Sequence, residues 1–300
     1  MPSRSAYSGK PASNLLENKE ITIVLKQRMI TAAILLPLVI ASLLYLPVIS
    51  LLLVVAGFFL IAASEWLNII NQVNTKLSRI IQFSQICVVS LLFYFIYWFK
   101  LEQQVINLVS ILWLYSAIII YIRAIQLRAI LSCKHFATFL GFFLLGTAWM
   151  AFKAIYFEYG KSELLYLGAL VCGADISAYF VGKKYGKHQL APNISPGKTK
   201  EGALGAVIFV VIIALIRQIF SVDVSAYNFI VGICMAIAIT IISIVGDLSE
   251  SMLKRIYNVK DSSSLLPGHG GMLDRLDSLI AALPVYYSLL YVSARYVHVG

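Results

Sequence analysis

Between residues 30 and 297 the sequence is a succession of apolar runs separated by short polar joints. A helix needs about 20 mainly apolar residues to cross the hydrocarbon core, with a range of roughly 17 to 25. On that ruler nine runs qualify, at approximately 30–46, 48–64, 80–99, 104–122, 136–152, 163–182, 203–220, 226–246 and 278–297. Backbone groups in lipid must bond within their own segment, which makes helices the default for such runs. The expected fold class is all-α, a polytopic integral membrane protein with about nine transmembrane helices. Only Pro47 divides the first two runs, so residues 30–64 form either two spans in a tight hairpin or one long kinked element.

The polar remainder is too small for a second domain. With 60% hydrophobic and 13% charged residues, the chain lies far from soluble globular composition. Residues 1–28 read as a polar tail and 29–300 as a single membrane-embedded domain. The first run begins only near Ile30 without a small-residue cleavage site, so it reads as a retained span rather than a signal peptide. Cys87, Cys133, Cys172 and Cys234 show no paired spacing. They read as small buried apolar residues, not as disulfides or a zinc site.

Cytoplasmic loops of membrane proteins carry excess Lys and Arg. Of the 24 such residues, 19 fall in the tail and in the loops after spans two, four, six and eight. The amino terminus and the long loops 183–202 and 247–277 are thus expected on the cytoplasmic side, with the carboxyl terminus opposite. This bias accounts for much of the +10 net charge and leaves no need for a nucleic-acid partner.

Chemistry has to be sought in those two loops and the span ends beside them. Asp175 lies inside an apolar run, where a carboxylate costs a few kilocalories per mole unless paired or set in a wet cavity. A functional role is the default, and the alternative is a structural cap bonded to Ser177 or to a lysine of the next loop. Residues 195–202, SPGKTKEG, put two glycines, two hydroxyls, Lys198 and Lys200 just before an apolar helix. That arrangement suits a phosphate, because backbone N–H groups and a helix N-terminus favour anions. The P-loop spacing is absent. At the end of span eight, Asp247, Glu250 and Lys254 recur at helical intervals; an ordinary i,i+4 surface pair accounts for Glu250 with Lys254, but less readily for Asp247.

Span nine opens with Asp274 and Asp277, which share one face of a helix near its positive end. Capping explains one of them. Together with Asp247 they would form an oxygen-rich set suited to Mg²⁺ and phosphates. His269, in PGHGG, is open to three roles: turn residue, acid or base, or phosphate donor. Lysines that attract polyphosphate and carboxylates that recruit Mg²⁺ point to phosphoryl or nucleotidyl transfer at the cytoplasmic membrane boundary.

From Ser251 the chain reads S-x-L-K-R, four residues, K-D, then S-S-S-L-L-P-G-H-G-G-M-L-D-R-L-D, ending at Asp277. This resembles the signature of phosphatidate cytidylyltransferases, also called CDP-diacylglycerol synthases. The patterns D-x-x-A-Y-x-x-G-K-x-x-G-K from Asp175 and S-P-x-K-T-x-E-G from Ser195 are similar to the same family, and the resemblance covers roughly residues 170–280. It implies a nucleotidyltransferase of phospholipid biosynthesis that joins CTP and phosphatidate, with Mg²⁺ and room for a second monovalent or divalent cation. By the resemblance, Asp247 and Asp274 are the metal ligands. Asp274, Asp277, Lys260, His269 and Arg275 would be catalytic, and Asp175, Ser195, Lys198, Lys200, Lys254 and Arg255 would bind substrate. It also implies a homodimer among membrane lipid, located in the bacterial inner membrane. Gly197 stands where a basic residue is usual and Ser263 where Gly is common; neither departure removes a carboxylate. The rival readings are a related CTP-dependent lipid enzyme, such as a polyprenol kinase or ether-lipid cytidylyltransferase, and an anion transporter. A transporter would place its site near the midplane, whereas here the ionisable residues gather at span ends.

Overall fold

The computed structural model describes residues 37–71, 76–122, 124–220, 226–265 and 270–297. The polar tail and the start of the first expected span lie outside them. Residues 37–45 are helical (α1), and Pro47, with an extended backbone, separates them from α2 (Val48–Ile70). A proline at a helix start loses no intrahelical bond, so the chain breaks here rather than kinking through. There follow α3 (Lys76–Trp98), α4 (Glu102–Ile122), a short α5 (Ala124–Leu131), α6 (Lys134–Ala154), α7 (Lys161–Tyr185), α8 (Lys200–Ile219), α9 (Ala226–Ile256) and α10 (Leu273–Val297).

Seven of these helices are long and apolar enough to cross a membrane, among the described residues. The third expected span is a 23-residue helix whose apolar part, Phe83–Trp98, is shorter. The chain is an all-α polytopic membrane protein. Three local features were not expected from the sequence. Helix α5 fills the joint after α4, a π-helical turn (Ile155–Tyr159) extends α6, and a two-stranded hairpin, β1 (Gln189–Ala191) with β2 (Ser195–Thr199), occupies the loop after α7. The π turn ends at Gly160, where φ of +89° turns the chain into α7.

One buried cluster runs from Leu43 to Tyr287 through most of the helices, while large apolar side chains such as Ile208, Phe209 and Ile212 face outward. Lipid is as apolar as leucine, so association between spans depends on close packing of small residues and on interhelical hydrogen bonds. Helices α7 and α8 meet at such a seam. A Cβ on Gly202 would lie 2.7 Å from the Ala178 carbonyl oxygen, and one on Gly205 within 2.6 Å of Val181. The four cysteines are unpaired, as expected, but exposed rather than buried; in a membrane protein a small apolar side chain is equally at home against lipid.

The packing that matters most for the site is that of α9 on α10. A Cβ on Gly246 would lie 2.6 Å from the Asp277 carbonyl oxygen and 2.9 Å from Ala281 Cβ. Only glycine lets the two backbones approach this closely, and the approach sets Asp247 beside Asp277. Helix α9 has 31 residues, hence a length of about 46 Å at the α-helical rise. The hydrocarbon core is about 30 Å thick, so one end of α9 projects beyond it. Asn258 then turns the chain: its φ is +55°, and the Val259 N–H reaches back to the Lys254 carbonyl at 2.9 Å. This is a left-handed C-terminal cap of the kind asparagine tolerates.

Replacing Gly246 by Val should force α9 and α10 apart. Overpacking of this kind costs about 1–3 kcal/mol, and a lowered midpoint of thermal unfolding in detergent is the expected observation.

Candidate active site

Four helices and the two loops between them line a cavity of about 1080 Å³. Helix α7 contributes Asp175, Tyr179 and Lys183; the hairpin contributes Gly197, Lys198 and Thr199, and the start of α8 Gly202 and Ala203; α9 contributes Asp247 and Lys254. The loop after α9 and the first turns of α10 close it with Asp261, Ser263, Asp274, Arg275 and Asp277. Counted formally, four cationic side chains face five carboxylates. A nucleoside triphosphate entering this cavity therefore needs additional positive charge.

The local folding of each wall is explicable. Thr199 caps α8, its Oγ1 accepting the Gly202 N–H at 3.1 Å, as a hydroxyl at a helix N-terminus does. Glu201 Oε2 accepts the N–H groups of Lys187 at 3.1 Å and His188 at 3.2 Å, and its Oε1 lies 2.6 Å from His188 Nδ1. These bonds pin the end of α7 to the start of α8, so the hairpin between them holds Lys198 over the cavity, where it pairs with Asp247.

Four of the five cavity acids divide by what they touch. Asp274 is fully engaged: Oδ1 pairs with Lys254 at 2.6 Å, while Oδ2 accepts Gly271 N–H at 2.8 Å, Ser262 Oγ–H at 2.9 Å and Ser262 N–H at 3.0 Å. Lys254, largely buried, also pairs with buried Glu250 at 2.5 Å. Glu250, Lys254 and Asp274 thus form an internal chain of charges that ties α9 to α10, and Glu250 with Lys254 is not the surface pair its spacing suggested. Gly270 has φ of +76°, and a Cβ there would come within 2.4 Å of Asp274 Oδ2.

Asp175, Asp247 and Asp277 have fewer partners. Asp175 has no hydrogen bond or ion pair among the described residues; Ser177, its expected partner, donates instead to the Gly173 and Ala174 carbonyls. Among the described residues Asp277 accepts only the adjacent Ser278 N–H, at 2.6 Å. Asp247 takes Lys198 and, at 3.3 Å, the Ser251 hydroxyl. These three carboxylates, on three helices, lie near enough to feel one another's charge. Among the described residues no group of three His, Cys, Asp or Glu side chains converges as a ready metal site. The donor set still suits Mg²⁺, which uses one or two carboxylates and completes its shell with phosphates and water. Asp247 and Asp277 fit that role. Asp274, expected to share it with Asp247, is occupied with Lys254 and the loop.

The structure therefore brings Asp175, Lys198, Asp247 and Lys254 together with Asp274, Arg275 and Asp277 at one cavity. Four other expected residues stand off it. Ser195 pairs with Ala191 within the hairpin, Lys200 begins α8 with its side chain exposed, and Arg255 and Lys260 are exposed outside the lining. His269 lies outside the described residues. Sequence reasoning missed Glu65 of α2, which is 3% exposed and bonds to the loop before α10. The available signal was a lone carboxylate at the end of an apolar run, the only acidic residue between Glu20 and Glu102.

A family model described as the cytidylyltransferase family matches residues 26–293. The phosphatidate cytidylyltransferase of Pseudomonas aeruginosa is 32% identical over 271 residues, 90% of this chain and 98% of that protein. That of Haemophilus influenzae is 48% identical over 135 residues, 44% of this chain and 46% of that protein. The corresponding Bacillus subtilis protein is 41% identical over 133 residues, 44% of this chain and 49% of its own length. In the last two, the aligned part spans about half of the relative.

The division among the acids predicts opposite stability effects. Asp274→Asn, which breaks a buried pair, should cost on the order of 3 kcal/mol. Asp175→Asn and Asp277→Asn, which remove mutually repelling charges, should leave the melting temperature unchanged or raise it.

Proposed function

The chain belongs to the cytidylyltransferase family, and on that premise we propose that it joins phosphatidate to CTP, giving CDP-diacylglycerol and pyrophosphate. The observation that carries the proposal is the cavity itself: Lys198 and Arg275 meet Asp175, Asp247 and Asp277 at the ends of membrane-crossing helices. A soluble nucleotide and a lipid head group can reach one another at such a place.

A phosphatidate phosphate oxygen attacks the α-phosphorus of CTP in line. The new bond joins the two phosphates, the bond from the α-phosphorus to the oxygen bridging the β-phosphate breaks, and pyrophosphate leaves with the electron pair. No enzyme nucleophile takes part. The attacking oxygen is already ionised at neutral pH, so no general base is assigned. Lys198 and Arg275 bind the phosphates as charge moves onto the leaving group. The arriving triphosphate gives Lys198 a second anion to pair with, and this frees Asp247. Asp247 and Asp277 would hold Mg²⁺, which would supply the positive charge that the lining lacks. Lys254 works at one remove, since its ammonium is spent on Glu250 and Asp274.

The same reading puts the protein in a bacterial cytoplasmic membrane with its cavity on the cytoplasmic side, where CTP is found. It is supported by the Lys and Arg bias of alternate loops and by the bacterial relatives. A homodimer belongs to the reading on the resemblance alone, and the mass of the purified protein in detergent is its test.

Purified protein given CTP labelled at the α-phosphate, phosphatidate and Mg²⁺ should yield labelled lipid. Asp247→Asn and Asp277→Asn should each lower turnover by about 100-fold, the scale of losing one charge-stabilising group. A wild-type protein that labels no more lipid than Asp277→Asn sinks the proposal. For orientation, Lys187→Cys in a background with the four native cysteines changed to Ser should react with an impermeant thiol reagent in inverted vesicles and not in right-side-out ones.

A further inference from the structure

Glu65 sits on α2, far in sequence from every residue assigned above, yet it is bonded to the loop that carries Asp274. Its two oxygens are used alike. Oε1 accepts Ser263 Oγ–H at 2.6 Å and Met272 N–H at 3.1 Å; Oε2 accepts Leu273 N–H at 2.7 Å and lies 3.1 Å from Ser262 Oγ, whose one proton it shares with Asp274 Oδ2. Met272 and Leu273 offer two of the N–H groups that the first turn of a helix leaves without an internal partner. A carboxylate beside them also opposes the positive end of the helix.

We infer that Glu65 is a positioning residue for cytidylyl transfer, holding Asp274 and Asp277 in place against Asp247 by fixing the 262–263 loop and the start of α10 together. This rests on the activity proposed above. The lever is short, because Asp274 follows Leu273 directly and Asp277 lies one turn further along α10. Ser262 couples the two acids, its hydroxyl lying within reach of both Glu65 Oε2 and Asp274 Oδ2. The fit is tight: a Cβ on Gly271 would lie 2.5 Å from Glu65 Oε2 and 2.1 Å from Ser262 Oγ. Glu65 is itself held, because the next residue, Trp66, donates from Nε1 to the Ala137 carbonyl of α6 at 2.9 Å and packs over Gly141.

The geometry also says why a carboxylate is needed. Each oxygen faces one backbone N–H, which cannot reverse its role as a hydroxyl can. A glutamine side chain in either orientation points its NH₂ at one of these donors, so Glu65→Gln must shift the loop or the first turn of α10. A displacement of about 1 Å at reacting groups can cost 100-fold in rate.

The test uses the full chain in phosphatidate-containing nanodiscs, with steady-state kinetics in CTP and hydrogen exchange followed by mass spectrometry. Glu65→Gln is expected to lower kcat by about 10- to 100-fold and to raise the KM for CTP several-fold, with faster exchange confined to peptides of residues 260–280. Glu65→Asp keeps both oxygens and the charge, and should recover most of the kcat with exchange close to wild type. Where the glutamine variant cannot be purified, the same pattern at smaller amplitude is expected in Ser263→Ala, which removes a single donor. Wild-type kcat and KM in the variant tested overturn the inference. So does a fall in kcat at unchanged KM with faster exchange throughout the bundle, the mark of lost fold alone. An active wild type beside an unaffected Glu65→Gln overturns only the positioning role, whereas an inactive wild type overturns the proposed activity and this inference with it.

Discussion

A loop that carries charge at the edge of a hydrocarbon core has to find protein partners for its polar atoms, because water is scarce on one side and absent on the other. Two carboxylates meet that demand for the stretch between α9 and α10. Asp274 gathers Gly271, Ser262 and Lys254 from within the stretch and the preceding helix, and Glu65 gathers Ser262, Ser263, Met272 and Leu273 from outside it. Between them they take up two loop hydroxyls and four loop or helix-start N–H groups. The positions of Asp277 and Arg275 follow from where this arrangement lets α10 begin.

The same constraint sorts the acids. An ionised group buried at a membrane boundary either has its donors or faces a cavity that will supply a counter-ion. Glu65 and Asp274 have donors in full, and Glu250 has Lys254. Asp175 and Asp277 face the cavity with almost none, and Asp247 holds Lys198 through a pair open to the cavity. The first group keeps the walls in place and the second is left open to the cavity. Sequence motifs place members of both groups side by side, as with Asp274 and Asp277, so proximity in the chain does not separate the roles.

Seven of the nine expected spans were legible in the sequence because hydropathy acts over about twenty residues and does not depend on tertiary partners. The meeting of Asp247 with Asp277 was legible too, since each stands where an apolar run meets a polar loop; Asp175, inside an apolar run, and Lys198, within a loop, came in through the motifs. What could not be read was pairing. Nothing local distinguishes a lysine aimed at a substrate from Lys254, which is spent on Glu250 and Asp274. The hairpin at 189–199 is too short to carry a strand period, so the sequence did not show that Ser195 stands in a strand and that Lys200 begins a helix. The partners of Glu65 were hidden for a related reason, because its four donors come from residues some two hundred positions away.

This last separation bears on why the amino-terminal helices belong to the enzyme at all. The motifs lie between Asp175 and Asp277, yet the family match begins at residue 26, well before any residue that lines the cavity. Helices α7 to α10 supply every cavity side chain of α-helical origin, but they do not by themselves fix the start of α10. That start hangs from Glu65 on α2, and α2 is locked to α6 through Trp66. Helix α4 braces α10 further along, where Ser288 bonds to Asn107 and to Ser110 at 2.8 Å. The amino-terminal half thus acts as a frame that sets the tilt and register of one helix. The carboxyl-terminal half can carry the reactive groups because that helix is held from outside.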